Sequence, residues 1–104
     1  MKNKIININN LNTLLKKKFK NKTVGMCHGV FDVLHIGHIK HFEQAKKVVD
    51  ILIVSVTADE FVKKGPNRPA FNQNLRMKAI SSLEAIDFVV ISNEKTAINN
   101  LKKI

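Results

Sequence analysis

Two histidines bracket a glycine at His35, Gly37 and His38, inside the run Gly29-Val30-Phe31-Asp32-Val33-Leu34-His35-Ile36-Gly37-His38. Beyond it, Ile39, Phe42, Ala45 and Val49 recur on one face of a helix. The signature therefore lies where a strand hands over to a helix. A helix start presents unpaired backbone N–H groups and the positive end of its dipole, which suits a phosphate chain. Gly37 has no side chain, so a nucleotide can lie close on the backbone there. The imidazoles of His35 and His38 can donate hydrogen bonds to oxygens that gain charge in a transition state.

Other residues are open to more than one reading. His28 stands just before Gly29 at the strand end and reads equally as pocket lining or as structure. Phe31 reads as core packing more than base stacking. Asp32 can orient a motif histidine or a water, or merely cap the turn. His41 extends the pattern to H-x-x-H-x-x-H, but no cysteine or carboxylate completes a zinc shell at a suggestive spacing. It reads better as a helix surface residue. Lys63, Lys64 and Arg68 share a stretch with Gly65, Pro66 and Pro69, so they form a basic loop. Such a loop can fold over a triphosphate or simply be solvated; the phosphate reading is preferred.

The elements that must position these residues follow from periodicity. With 104 residues and 44% hydrophobic content, the chain can form one small domain with a real core. Leu11, Leu14, Leu15 and Phe19 have helical spacing, with Asn9 or Asn10 as a cap. Residues 24–27, 51–57 and 88–91 read as strands. The near-continuous apolar run at 51–57 implies burial on both faces, as in a parallel sheet. Leu75, Ala79, Ile80 and Leu83 mark a further helix, and Asn93 can cap a last one containing Ala97, Ile98 and Leu101. Strands alternating with helices imply right-handed crossovers and an α/β fold with helices on both sheet faces.

Lysine and arginine number 18 against 8 acidic residues, a formal charge of +10. That balance favours anionic partners. Nearly all of it is lysine, with Asn and Ile also abundant, so a compositional bias accounts for much of it. Cys27 is the only cysteine, which excludes an intrachain disulfide and fits a cytoplasmic location. The apolar runs are strand-length, too short for a membrane span.

The run 29–40 resembles the first motif of the cytidylyltransferase-like, or H-x-G-H, nucleotidyltransferase family. Lys64-Gly65-Pro66-Asn67-Arg68-Pro69, then Arg76, then Leu83-Glu84-Ala85-Ile86-Asp87-Phe88-Val89-Val90, resemble its heptose phosphate adenylyltransferase subgroup, with glycerol phosphate cytidylyltransferase next. The resemblance implies a Rossmann-like parallel sheet. It implies that a substrate phosphate attacks the α-phosphorus of CTP or ATP and that pyrophosphate leaves, with Mg²⁺ accompanying the nucleotide. It assigns His35, His38, Lys64 and Arg76 to catalysis. His28, Gly29, Val30, Phe31, Gly37, His38 and Lys63 then fall to nucleotide binding, with no metal held by protein ligands. The implied partners are a nucleoside triphosphate and a small phosphorylated sugar or polyol, without nucleic acid or membrane, and a homodimer is allowed.

Residues 1–22 then read as an N-terminal extension with one helix, and 23–104 as the transferase domain. The family's later Lys-Gly-x-Asp element and Ser/Thr-rich helix start do not occur before Ile104, so the domain reads as incomplete at that end. The expectation is weak nucleotide binding, little activity alone, and an apolar strand edge or face at 88–91 that is unprotected unless something covers it. An alternative is a non-catalytic nucleotide-binding fragment. A class I aminoacyl-tRNA synthetase piece fits less well, because the chain is short and lacks the lysine-rich K-M-S-K-S signature.

Overall fold

The computed structural model describes residues 3–62 and 70–92, with the backbone of 102–103. Lys63, Lys64 and Arg68, and the helix expected after Asn93, lie outside the described residues. The elements run α1 (Ile8–Lys17), β1 (Val24–Gly29), α2 (Ile36–Lys46), β2 (Ile51–Thr57), a 3-10 turn at Asp59–Phe61, α3 (Gln73–Ser81), β3 (Phe88–Ser92) and β4 (Lys102–Lys103). The strands form one parallel sheet in the order β3-β2-β1-β4.

β2 shows why the sheet is covered twice. Leu52, Val54 and Val56 join Cys27, Phe42, Ala45, Met77, Ile80 and Val89 in one core layer under α2 and α3. Ile51 and Ile53 point the other way, to Leu11 of α1 with Val24 and Val90. Alternate residues of an extended strand face opposite sides, so a strand apolar on both faces but for Ser55 and Thr57 needs a helix on each. Helices do lie on both faces, as the sequence implies.

Several local expectations change. The α1 cap is Asn7, whose Oδ1 accepts from Asn10 N at 2.8 Å, rather than Asn9 or Asn10. β1 continues to Gly29, two residues past the expected strand. The β3 edge is covered. Val89 N donates to Lys4 O and Ile6 N donates to Val89 O, each at 3.0 Å, so the N-terminal segment pairs with that edge. Leu11 at 0% exposure also ties residues 4–19 into the sheet layer.

The α3 face is rotated from the one expected. Arg76, Met77 and Ile80 are buried, whereas Leu75 is 53% exposed and Ala79 is exposed. Hydropathy alone places an arginine outward; here it turns inward because four oxygen acceptors await it there. Among the described residues, no helix is long and apolar enough to cross a membrane.

Candidate active site

The strand order reverses direction at β1, which has β2 on one side and β4 on the other. Open α/β sheets bind ligands at the carboxyl ends of strands beside such a switch point. The H-x-G-H run follows the carboxyl end of β1 directly.

His35 is the N-cap residue of α2, with extended backbone (φ −136°, ψ 174°). Its Nδ1 accepts from Gly37 N at 3.0 Å. His38, at the third helical position, returns the contact: its Nδ1 accepts from His35 N at 3.2 Å. The two histidines form a reciprocal capping box, the arrangement usually made by Ser or Thr with Glu. Their ring centroids are 3.9 Å apart, tilted by 32°.

The box decides the chemistry of both rings. A neutral imidazole has one donor and one acceptor nitrogen. Because both Nδ1 atoms accept backbone N–H bonds, both protons belong on Nε2. His38 is held below the ordinary histidine value of 6.5, first by desolvation, then by the charges of His35 and His41. The site thus offers two adjacent Nε2–H donors with one neutral tautomer fixed on each.

Gly37 serves this arrangement directly. A Cβ there would lie 2.8 Å from His35 Cε1 and 3.0 Å from His35 Nδ1. The space where a Cβ would stand at Gly37 is taken by the His35 ring. Gly29 is similar: a Cβ would lie 2.8 Å from Phe31 Cζ.

Phe31 has φ 52°, a left-handed conformation that costs a non-glycine residue roughly 1–2 kcal/mol. Its ring meets the His38 ring edge-on at 5.4 Å and Phe42 at 5.4 Å. Core packing is therefore its observed environment. Val30 contributes its carbonyl, which accepts from Arg76 Nη1 at 2.9 Å. His28, exposed on the α1 face of the sheet, pairs through Nδ1 with buried Ser55 Oγ at 3.1 Å.

Arg76 is 2% exposed. Its Nε donates to Phe71 O at 2.9 Å, Nη1 to Val30 O and to Thr57 O at 2.8 Å, and Nη2 to Asp59 Oδ1 at 2.6 Å. The guanidinium joins the ends of β1 and β2 to the start of α3 and faces protein oxygens. It ties these segments together beside the turn that leads into the H-x-G-H run. The Asp32 carboxylate accepts from Ala70 N at 2.8 Å and Phe71 N at 2.9 Å. No sequence signal marks a bond across 38 residues. Beside it, Phe31, Val33, Leu34, Phe71, Leu75 and Ala79 line a groove of about 400 Å³.

His41 lies exposed on α2, with its ring 6.2 Å from Phe42. Among the described residues, no group of three His, Cys, Asp or Glu side chains is arranged to hold a metal.

An open parallel sheet with a histidine-capped helix start at its switch point defines a Rossmann-like domain of the nucleotidyltransferase and ligase kind. Two solved structures share it. One is the lipopolysaccharide core biosynthesis protein from Thermoplasma volcanium, at TM-score 0.65 and 35% identity over 71% of this chain and 61% of that one. The other is pantoate-beta-alanine ligase from Francisella tularensis, crystallised with an ATP analogue and beta-alanine. It aligns at TM-score 0.63 and 25% identity over 88% of this chain and 36% of that one. Residues 26–104 match the cytidylyltransferase-like family, and the chain belongs to it. Among its relatives is the bifunctional protein HldE of Campylobacter fetus subsp. fetus, 42% identical over 90% of this chain. HldE of Campylobacter concisus is 39% identical over 97%. The chain spans 21% and 22% of those two proteins, about a fifth of their length.

Proposed function

We propose that this chain is a nucleotidyltransferase centre that moves a nucleoside monophosphate from CTP or ATP to a phosphorylated sugar or polyol, releasing pyrophosphate. The observation that carries the reading is the reciprocal histidine cap, which fixes two Nε2–H donors side by side at the sheet's switch point. Relatives named as HldE and a neighbour named for lipopolysaccharide core biosynthesis support a sugar phosphate acceptor for surface polysaccharide or lipid.

The reaction needs positioning and charge stabilisation more than covalent help. The acceptor phosphate is already ionised, so no protein nucleophile or general base is required. Its oxygen bonds to the α-phosphorus as the α–β bridge breaks. Charge builds on the α-phosphoryl oxygens and on the departing bridge oxygen. His35 and His38 donate Nε2–H bonds to these oxygens, and the cap has already fixed their orientation. Each such donor is worth roughly 10²–10³-fold in rate where comparable ones have been removed. Lys63 or Lys64 contacts the triphosphate in this reading, on the strength of the family resemblance.

Magnesium would enter with the triphosphate and neutralise part of its charge. The described residues suit an ion held by phosphate and water, because Asp32 spends its carboxylate on backbone N–H groups and the histidines present Nε2–H.

The test is pyrophosphate release by this chain with CTP or ATP, each with a panel of sugar and polyol phosphates. Release that requires both substrates supports the proposal. Release without an acceptor phosphate, or none with any pair either from this chain or from a longer protein that contains it, counts against it.

A further inference from the structure

Phe31 is strained, and both its neighbours are gripped from one place. Among the described residues it is the only non-glycine with positive φ, at 52°. Val30, before it, gives its carbonyl to Arg76 Nη1 at 2.9 Å. Asp32, after it, takes the N–H groups of Ala70 and Phe71 at 2.8 and 2.9 Å. Arg76 Nε in turn holds Phe71 O at 2.9 Å. Residues 70–76 thus clamp the turn on each side of its unfavourable residue. The Phe31 ring transmits that geometry, lying over Gly29 and meeting the His38 imidazole edge-on at 5.4 Å.

Strained backbone persists only where its surroundings over-determine it. Without the clamp, Phe31 can relax to negative φ. Its ring would then leave Gly29, and the edge of His38 would lose its support. We propose that Asp32 and Arg76 are positioning residues for the histidine pair, together holding Phe31 in its left-handed turn and so seating the His38 imidazole. The role deepens the proposed transfer chemistry and rests on that reading for its kinetic consequence only. The seating of His38 is observable without any substrate.

Asp32 is the better lever, because Arg76 is buried and bonded through Nε, Nη1 and Nη2, so its loss threatens the fold. Asp32→Ala removes both acceptors; Asp32→Asn is isosteric, keeps one, and serves where the alanine variant does not fold. Asp50→Asn is the control. Asp50 makes the same kind of carboxylate clamp far from the turn, accepting from Thr23 N at 2.9 Å and Thr23 Oγ1 at 3.0 Å.

The measurement is the side-chain ¹⁵N spectrum of the histidines in the intact chain, followed by kcat and nucleotide KM. The parent should show His38 as the single Nε2–H tautomer. The Asp32 variant should show it averaging between tautomers while the amide spectrum stays folded. In the variant kcat should fall roughly tenfold or more, the usual effect of losing a supporting shell, with little change in KM. The Asp50→Asn protein should keep the parent His38 signals. A folded Asp32 variant with parent-like His38 signals overturns the proposal, as does an equal change in the Asp50 control. Tautomer averaging in the Asp32 variant, with no transferase activity from the parent or from a longer protein that contains it, would sustain the clamp and reject the proposed function.

Discussion

Gly37→Ala separates the fold of this site from its chemistry. In a helix interior, alanine is favoured over glycine by about 1 kcal/mol. Here the new Cβ would sit 2.8 Å from His35 Cε1 and 3.0 Å from its Nδ1. His35 is exposed, so its ring can swing away without disturbing the core. The swing breaks the Nδ1 bond to Gly37 N, an N-cap interaction worth about 1 kcal/mol. Gain and loss nearly cancel. Thermal unfolding should therefore move by no more than about 5 °C, since 1 kcal/mol shifts a domain this size by roughly 4–8 °C. Activity has no such compensation. With its acceptor bond gone, His35 no longer has a fixed tautomer or direction, and transfer should fall roughly 10²-fold or more, as for a lost oxyanion donor. The assays are a thermal melt, pyrophosphate release and the ¹⁵N signals of His35. Parent-like turnover with an altered His35 tautomer would refute the link between cap and catalysis. A collapse in stability would refute the claim that the clash is met by a mobile ring.

Replacing His38 with Ala should lower turnover by roughly 10²-fold or more with a smaller effect on nucleotide affinity, because its contacts strengthen in the transition state; equal loss of binding with unchanged kcat would contradict this. The His38 titration midpoint, followed by NMR, should lie below the ordinary 6.5 because desolvation and two neighbouring histidines oppose its charge. The unfolded chain then binds that proton first, so His38 makes stability fall as pH drops from about 6.5 to the lowered midpoint and levels off below it; a midpoint above 6.5 would reverse the sign. Arg76→Met should destabilise the chain by roughly 1–3 kcal/mol in denaturant titration, since it leaves the carbonyls of Val30, Thr57 and Phe71 without their donor while Asp59, 39% exposed, stays within reach of water; a cost under about 0.5 kcal/mol would show that water satisfies the carbonyls too.

The sheet was legible in the sequence because its signals are local. The near-continuous apolar run of β2 announces two buried faces, and the H-x-G-H spacing marks a strand-to-helix turn. What escaped depends on long-range pairing. The resemblance singles out Arg76 for the site, but nothing in the sequence shows that the oxygens of Val30, Thr57, Phe71 and Asp59 draw it inward, turning α3 with it. Asp32 sits within the motif, yet its partners Ala70 and Phe71 are brought to it by the fold. The cover on β3 comes from Lys4 and Ile6, in a polar segment with no strand pattern. β4 is a two-residue strand of lysines beside β1, which no periodicity would mark. Gly37 reads as a place where a nucleotide can lie close on the backbone, and the structure puts the His35 ring beside it. The ring lies there because a histidine can itself serve as an N-cap.

The most direct test of the account follows the α-phosphorus. Nucleoside triphosphate labelled at that position, as CTP and as ATP, is incubated with a sugar phosphate, this chain and Mg²⁺, beside the His38→Ala protein. The account predicts that the label moves into a sugar nucleotide as unlabelled pyrophosphate appears, with roughly 10²-fold less in the variant. Transfer of a γ-label instead, or α-transfer that His38→Ala leaves unchanged, would contradict it.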